Sequence, residues 1–267
     1  MINLSKISRA LIYKDIKDIT SSKQILIPMI IVPLIFVIIF PTAVLLLLNF
    51  LPDVTKTMNG FDALIDKLPY TYKTLTNEQM VLTVLTNYLF PSFFLLIPIM
   101  CSTLIGASSF VGEKEHKTME TLLYTPISIE ELFRAKLLGV FIPTYIITLI
   151  CSIIFGIIIN IGGLTYFHKL IFPNIKWIIL ILYLTPSIAL LGLTFTILIS
   201  AKSKTFQEAQ QIAGLIVLPI ILLAVGQITG IFLLTNIMLI IIGTIIIIID
   251  YILLKKIAKN FTAENLI

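Results

Sequence analysis

A dense run of charged side chains lies between two long apolar stretches of this sequence. The run extends from Val111 to Lys136 and carries Glu113, Glu115 and Glu120. Only 12% of the residues in the chain are charged. A run this rich in charge, flanked by segments long enough to cross a bilayer, must therefore lie in water at a membrane face.

The charged run also has the pattern of a short docking helix. Thr118 can cap its N-terminus, and three apolar side chains then fall on one side of the helix. These are Met119, Leu122 and Leu123. Pro126 ends the helix, and Ser128 with Glu131 forms a capping box for the next one. A short helix held between two spanning helices is suited to receive force from a soluble partner; a solvated cytoplasmic loop is the alternative.

Several kinds of catalytic chemistry are disfavoured by the residues present. No Gly-x-x-x-x-Gly-Lys-(Ser/Thr) run occurs, so we do not expect this chain to bind ATP. Its two histidines, His116 and His168, fall on opposite predicted membrane faces, which disfavours an intramembrane protease, and no metal site is expected. Cys101 and Cys151 lie inside apolar runs and are interpreted as packing residues.

Composition indicates an all-α polytopic membrane protein. The 267 residues are 58% apolar, their mean hydropathy is +1.07, and the apolar residues form runs of about 20 or more. The net charge of +5 clusters at the ends of those runs. This distribution is typical of a protein oriented in a lipid bilayer and not of a nucleic-acid-binding surface.

The predicted organisation is a single transmembrane domain with six spans. An amphipathic interfacial helix occupies residues 1–24, an extracellular segment residues 52–87, and the cytoplasmic charged element residues 112–136. Trp177 is expected to anchor the outer interface. Asp250 is expected to pair with a nearby lysine, and an ion site there is the alternative. The predicted spans are 25–51, 88–111, 137–161, 178–199, 212–225 and 237–254.

The distribution of basic residues predicts the orientation. Of the 19 lysines and arginines, 14 fall in the N-terminal helix, the two inner loops and the C-terminal tail. The positive-inside rule therefore places both termini in the cytoplasm, with the protein in the cytoplasmic (plasma) membrane. The charged run and the loop Lys202–Gln211 then share one face and can contact one soluble partner.

The charged run resembles the signature of ABC-2 type transporter permeases. That signature reads Glu-x-Glu-x-Gly-Thr-x-Glu-x-Leu-Leu, followed by Pro-(Val/Ile)-Ser and a downstream Lys. Here Lys117 stands where many members have Gly, a departure that can tighten the turn. The segment Glu208–Gln211 also resembles the family's second cytoplasmic loop, and the resemblance covers nearly the whole chain.

The resemblance implies a permease subunit of a type V ABC exporter. Such permeases pair with a second permease copy and with separate ATP-binding subunits, which would hold ATP and Mg. ATP binding would draw the two motor subunits together and rock the spans through the coupling elements. The residues implied as contacts to the ATP-binding subunit are Glu113, Glu115, Thr118, Glu120, Leu122, Leu123, Pro126, Glu208 and Gln210.

The transport path is expected between the second and fifth spans of two copies. Polar groups on those spans that can line it are Ser92, Ser102, Thr103, Gln211 and Gln227, although hydrogen bonding between helices explains them equally well. An ATP-independent secondary transporter or channel is the main alternative, but the spans lack the mid-membrane charges common in that class. The apolar character of the path favours a hydrophobic or amphipathic cargo, and the sequence selects no particular substrate.

Overall fold

The computed structural model describes residues 6–50, 74–118, 127–229, 231 and 233–260. Within these ranges the chain is helical and contains no β-strand. The helices are α1 (Lys6–Ser21), α2 (Lys23–Phe50), α3 (Asn77–Glu115), α4 (Ile129–Phe167), α5 (Ile175–Ser200), α6 (Phe206–Ile228) and α7 (Asn236–Asn260). Six of them, α2 to α7, are long and apolar enough to cross a membrane, which confirms the predicted fold class.

Three of the spanning helices begin earlier than the hydropathy pattern suggests, because polar caps start them. The Thr76 hydroxyl accepts from the Gln79 N–H, so α3 already includes residues 77–87 of the predicted extracellular segment. Ser128 caps α4 and Thr205 caps α6 in the same way. The rest of that predicted segment, residues 52–73, lies outside the described residues.

Three of the spanning helices widen locally just before a proline. A proline lacks an N–H and its ring clashes with the carbonyl four residues earlier, so the helix opens into a π turn. Each such turn ends two residues before the proline: Leu34–Ile39 before Pro41, Leu85–Leu89 before Pro91, and Leu180–Leu184 before Pro186.

The turn before Pro91 releases two backbone carbonyls of α3. The Phe90 N–H donates to the Leu85 carbonyl instead of the Thr86 carbonyl. Pro91 has no N–H to offer to Asn87. The Thr86 carbonyl is buried and the Asn87 carbonyl is partly buried, and a buried acceptor without a donor is costly.

Two neighbouring residues of α5 supply the missing donors. The Trp177 indole N–H donates to the Thr86 carbonyl at 3.0 Å. The Lys176 ammonium donates to the Asn87 carbonyl, and it also lies 4.0 Å from the centre of the Tyr88 ring. The first turn of α5 therefore supplies the hydrogen-bond donors that the two carbonyls of α3 lack within their own helix.

Trp177 is a core residue, and the expectation that it anchors the membrane interface is wrong. Its side chain is 0% exposed. Its ring centroid lies 4.7 to 5.3 Å from those of Phe94, Phe155 and Phe172. The polar end of the indole points into the protein because the Thr86 carbonyl of α3 accepts its N–H there.

Helix α3 is the central helix of the bundle. Its most apolar window is 89% buried, whereas that of α7 is 17% buried. At about 1.5 Å per residue, its 39 residues extend roughly 58 Å, which exceeds the thickness of the bilayer. The helix thus connects the charged run to the opposite end of the molecule without interruption. We call these the Glu113 end and the Asn174 end.

The N-terminal helix α1 packs along the first part of α4. Leu11 and Ile19 are buried, as expected for the apolar face of an amphipathic helix. Cys101 and Cys151 are free and buried, which confirms their interpretation as packing residues.

We expect Trp177→Phe to lower the thermal stability of the purified protein. The substitution keeps an aromatic ring in the core but leaves the Thr86 carbonyl without its donor, at a cost of about 1–3 kcal/mol. The unfolding midpoint in detergent measures the effect. Tyr251→Phe is the control, since that side chain is 67% exposed on α7. Equal midpoints for the two variants would contradict the role assigned to the indole N–H.

Candidate functional site

The carboxylate of Glu113 is buried where α3 reaches the charged run. Glu113 is 8% exposed. Its Oε2 accepts a hydrogen bond from Lys136 Nζ of α4 at 2.5 Å, and its Oε1 accepts one from Lys14 of α1. One side chain thus joins three helices. We refer to Lys14, Asp15, Ser109, Glu113 and Lys136 as the Glu113 cluster.

Lys136 is the most deeply buried charge of the cluster. Its side chain is 0% exposed. The ammonium donates to the Ser109 carbonyl at 2.6 Å, to the Ser109 hydroxyl at 3.2 Å and to Glu113. These three acceptors match the three donors of an ammonium group. A buried charge is tolerated only with such complete pairing, so Lys136 depends on its partners.

Asp15 brings a second buried carboxylate to the cluster from the apolar face of α1. It is 5% exposed and accepts from the Ser109 hydroxyl at 3.4 Å. A Cβ atom at Gly139 would lie 2.9 Å from Asp15 Oδ2, so the glycine allows this close approach of α1 to α4. Burial raises the pKa of Asp15 to about 6, with the charge of Lys136 opposing that rise and the charge of Glu113 adding to it.

Lys14 lies at the edge of the cluster and is half-exposed. Partial burial lowers the pKa of Lys14, but the hydrogen bond and charge of Glu113, aided by Asp15 and Asp18, outweigh burial and leave the pKa above its ordinary value. Lys14 therefore stays charged while it bridges α1 to the end of α3.

Glu115 connects the charged run to the start of α6. Its Oε2 accepts from the Phe206 backbone N–H at 2.8 Å. This N–H lies in the first turn of α6, where helix donors need external partners. Thr205 caps the same turn by accepting from the Glu208 N–H at 3.3 Å, and Glu208 in turn accepts from the Lys204 N–H at 2.9 Å. The two predicted cytoplasmic elements are therefore in direct contact.

A tight turn follows Glu115 and contains a strained residue. Lys117 has a φ of 57°, in the left-handed region, where a residue other than glycine is disfavoured by roughly 1–2 kcal/mol. This is the position at which the resemblance expects Gly. The Thr118 hydroxyl donates to the Glu113 carbonyl at 3.2 Å and closes the turn. The predicted docking helix and its residues Glu120, Leu122, Leu123 and Pro126 lie outside the described residues.

An open cavity of about 710 Å³ lies at the Glu113 end, between α1, the end of α3 and the start of α6. Polar and charged side chains form much of its lining, including Lys14, Glu113, Glu115, Thr118 and Gln207. In the described parts of the chain, no group of three His, Cys, Asp or Glu side chains is arranged to hold a metal ion. The lining thus presents hydrogen-bonding and ionic groups at the open end of the cavity.

The predicted path residues on α3 are mostly engaged within the protein. Ser92 and Gln227 are both 0% exposed, and the Gln227 amide donates to the Ser92 hydroxyl at 2.6 Å. The hydroxyls of Ser102 and Thr103 donate to the Ile99 carbonyl of their own helix. Contacts within the protein thus occupy the hydroxyls of Ser92, Ser102 and Thr103, whereas the buried side-chain oxygen of Gln227 has no hydrogen-bond partner in the part of the chain that the structure describes.

A small apolar cavity of about 100 Å³ lies deeper along the same side of the bundle, between α2, α3 and α6. Thr103 and Gln210 contribute the polar groups of its lining, among apolar residues such as Met29 and Leu104. Gln210, which the resemblance implies as an ATPase contact, therefore faces this cavity. Gln211 is exposed on the surface of α6.

Asp250 does not pair with a lysine among the described residues, so that expectation is wrong. It is 2% exposed, and its Oδ1 accepts from the Thr194 hydroxyl of α5 at 3.1 Å. The lysines that follow on α7, Lys255 and Lys256, are exposed. Asp250 faces α5 across the helix interface, whereas those lysines point away from the bundle.

Sequence reasoning did not identify Lys14, Asp15 or Ser109 as members of the site. The sequence did contain one indication of Asp15: Leu11, Asp15 and Ile19 are spaced four residues apart and therefore share the buried face of α1. An acidic residue on an apolar stripe indicates a buried partner. Which residue that partner is depends on the packing of α1 against α3 and α4.

The six apolar helices define a multi-pass membrane protein, and a cluster of buried charges joins α1, α3 and α4 at the Glu113 end. The sequence model of the family described as ABC-2 family transporter protein matches residues 9–259. The chain belongs to this family and is a permease component of an ABC transporter, a transport component that is not itself catalytic. The family implies association with an ABC ATP-binding subunit. A comparison with curated proteins finds no match.

We expect Glu113→Gln to destabilise the protein strongly, because it leaves the buried Lys136 ammonium without its counter-charge. Breaking one side of a buried ion pair costs about 3–5 kcal/mol. The double variant Glu113→Gln with Lys136→Met should recover part of that loss. Unfolding midpoints in detergent measure both effects.

The matched control for Glu113→Gln is Glu130→Gln. Glu130 pairs with Arg134 at 2.5 Å, but both side chains are exposed, so the loss should stay below about 1 kcal/mol. Similar midpoints for Glu113→Gln and Glu130→Gln would show that the Glu113 cluster does not hold the helices together.

We also expect Asp15 to make stability depend on pH. Its pKa is about 6 in the folded protein against an ordinary value of 3.8, so the folded state binds more protons between these values. The contribution of Asp15 to the free energy of unfolding is therefore largest below pH 3.8 and is lost as pH rises towards about 6. As pH rises from about 4 to 6, the unfolding midpoint of Asp15→Asn should therefore rise relative to that of the parent protein. Asp18→Asn, on the exposed side of α1, should show a smaller gain, because the Asp18 charge adds only a minor part to the rise in the Asp15 pKa. An equal gain would refute the assignment.

Proposed function

We propose that the chain is the membrane subunit of an ATP-driven exporter in the cytoplasmic membrane. In this proposal a separate ABC subunit binds ATP and Mg²⁺, and both termini of the permease lie in the cytoplasm. Family membership supports the ATP-driven class, and the bias of basic residues towards the Glu113 end supports the orientation.

The observation that carries the proposal is the network that joins the charged run to the helices around it. Glu113 links the end of α3 to α1 and α4, and Glu115 links it to α6. A displacement of the charged run therefore moves several spans together, and α3 continues from it across the bundle. Efficient coupling of ATP hydrolysis to transport requires such a stiff connection.

The structure supports two different roles for the predicted coupling residues, positioning of the charged run and contact with the ATPase. The Glu113 carboxylate is occupied by Lys14 and Lys136, so we propose that it positions the charged run. Glu115 and Thr118 are exposed and line the open cavity at this end, where an ATPase surface can reach them. The contacts expected of Glu120, Leu122, Leu123 and Pro126 stay predictions.

The two cavities support a transport path beside α3 and α6. The open cavity and the small apolar cavity both lie between the N-terminal region, α3 and α6, at successive depths along these helices. We propose that a second permease copy completes this path from the other side. The apolar lining of the inner cavity favours a hydrophobic or amphipathic cargo.

An ATP-independent secondary transporter or channel is the alternative function. It would move its cargo without a companion subunit. The buried Asp250 is the feature most compatible with that class, but it binds Thr194 within a helix interface and lies in neither cavity described above. Membership of the ABC-2 family favours the ATP-driven function.

We expect Glu120→Ala to weaken copurification of the ABC subunit while the permease still inserts into the membrane. The measurements are affinity purification from native membranes and the ATPase rate of the copurified complex. Glu78→Ala, at the Asn174 end, is the control. Normal copurification and coupling in Glu120→Ala, or transport by the purified permease alone, would refute the proposed function.

A further inference from the structure

A third cavity, an open apolar groove, lies on the surface of the bundle away from the Glu113 cluster. It has a volume of about 630 Å³ and runs between the second half of α4, the loop 168–174 and the start of α5. Its walls carry large apolar side chains that face the bilayer, including Ile157 at 53% and Ile178 at 45% exposure. The groove opens along its length towards lipid.

The polar groups at the base of the groove are satisfied by the protein itself. The Asn160 amide donates to the Phe172 carbonyl at 2.7 Å, and its Oδ1 accepts from the Ile171 and Phe172 N–H groups at 2.9 Å. These bonds fix the loop against α4. A Cβ atom at Gly156 would lie 2.5 Å from the Phe172 ring, so the ring sits directly on the helix backbone. The groove is therefore preformed and apolar.

The length of the groove matches one leaflet of a membrane. The lining residues of α4 run from Ser152 to Leu164, which corresponds to about 18 Å along a helix. The hydrocarbon part of one leaflet is about 15 Å thick. An extended acyl chain thus fits along the groove from the middle of the bilayer to its surface.

A basic side chain lies at the surface end of the groove. Lys169 is exposed and directly precedes Leu170, which lines the groove, and the exposed His168 precedes Lys169. Lys169 does not itself line the groove, but a cation next to the lining can contact the phosphate of a lipid whose acyl chain lies in it. We propose that the groove binds one anionic phospholipid, with an acyl chain between α4 and α5 and its phosphate at Lys169.

Native mass spectrometry of the protein from nanodiscs tests this proposal. The probes are phosphatidylglycerol and phosphatidylcholine with identical acyl chains, and we expect one retained lipid with phosphatidylglycerol preferred roughly fivefold. Ile157→Trp, which narrows the groove, should lose the retained lipid. Ile150→Trp should keep it, because Ile150 is 51% exposed on the same helix but outside the groove. Elution volume and unfolding midpoint establish that both variants are folded.

The headgroup contact is tested separately. Lys169→Gln should retain a lipid but lose the preference for phosphatidylglycerol, whereas Lys202→Gln, exposed at the Glu113 end, should keep it. Equal lipid loss in Ile150→Trp and Ile157→Trp would indicate ordinary annular lipid and overturn the proposal. A disulfide-linked dimer of Leu182→Cys in lipid would instead assign the groove to a second copy of the chain, which also overturns it.

Discussion

The burial of the Lys136 ammonium is the constraint on which the Glu113 end of the molecule depends. A charge in this interior is stable only if every donor has an acceptor, and Ser109 and Glu113 supply all three. Because the acceptors belong to α3 and the donor to α4, neither helix can shift alone without exposing an unpaired charge. Lys14 extends the same constraint to α1.

At the Asn174 end, backbone carbonyls inside the protein likewise require hydrogen-bond donors. Pro91 widens α3 and frees the carbonyls of Thr86 and Asn87, which Trp177 and Lys176 then bind. The membrane offers no water to satisfy such groups, so a neighbouring helix must do so. Helix α3 is therefore fixed to α4 near the Glu113 end and to α5 nearer the Asn174 end, each time through donors that it cannot provide itself.

These two fixed points give α3 the properties that a force-transmitting helix needs. It is continuous, it is buried by its neighbours along most of its length, and its Glu113 end leads directly into the charged run. The cavities lie beside it and not across it, so it can move as a unit with the helices that it contacts. The apolar groove lies between α4 and α5, and none of its lining residues belongs to α3.

The sequence by itself determined the class of fold, the number of spans, the cap at Ser128 and the family, because these follow from local runs of apolar residues and short motifs. Its resemblance to the family also indicated that Glu113 and Glu115 are functional residues of the charged run. Only the tertiary structure decided what these carboxylates contact, why Trp177 is buried, and that Asp250 faces Thr194 and not a lysine. Those outcomes depend on the rotation and depth at which helices distant in sequence pack together, which hydropathy and spacing along one helix do not specify.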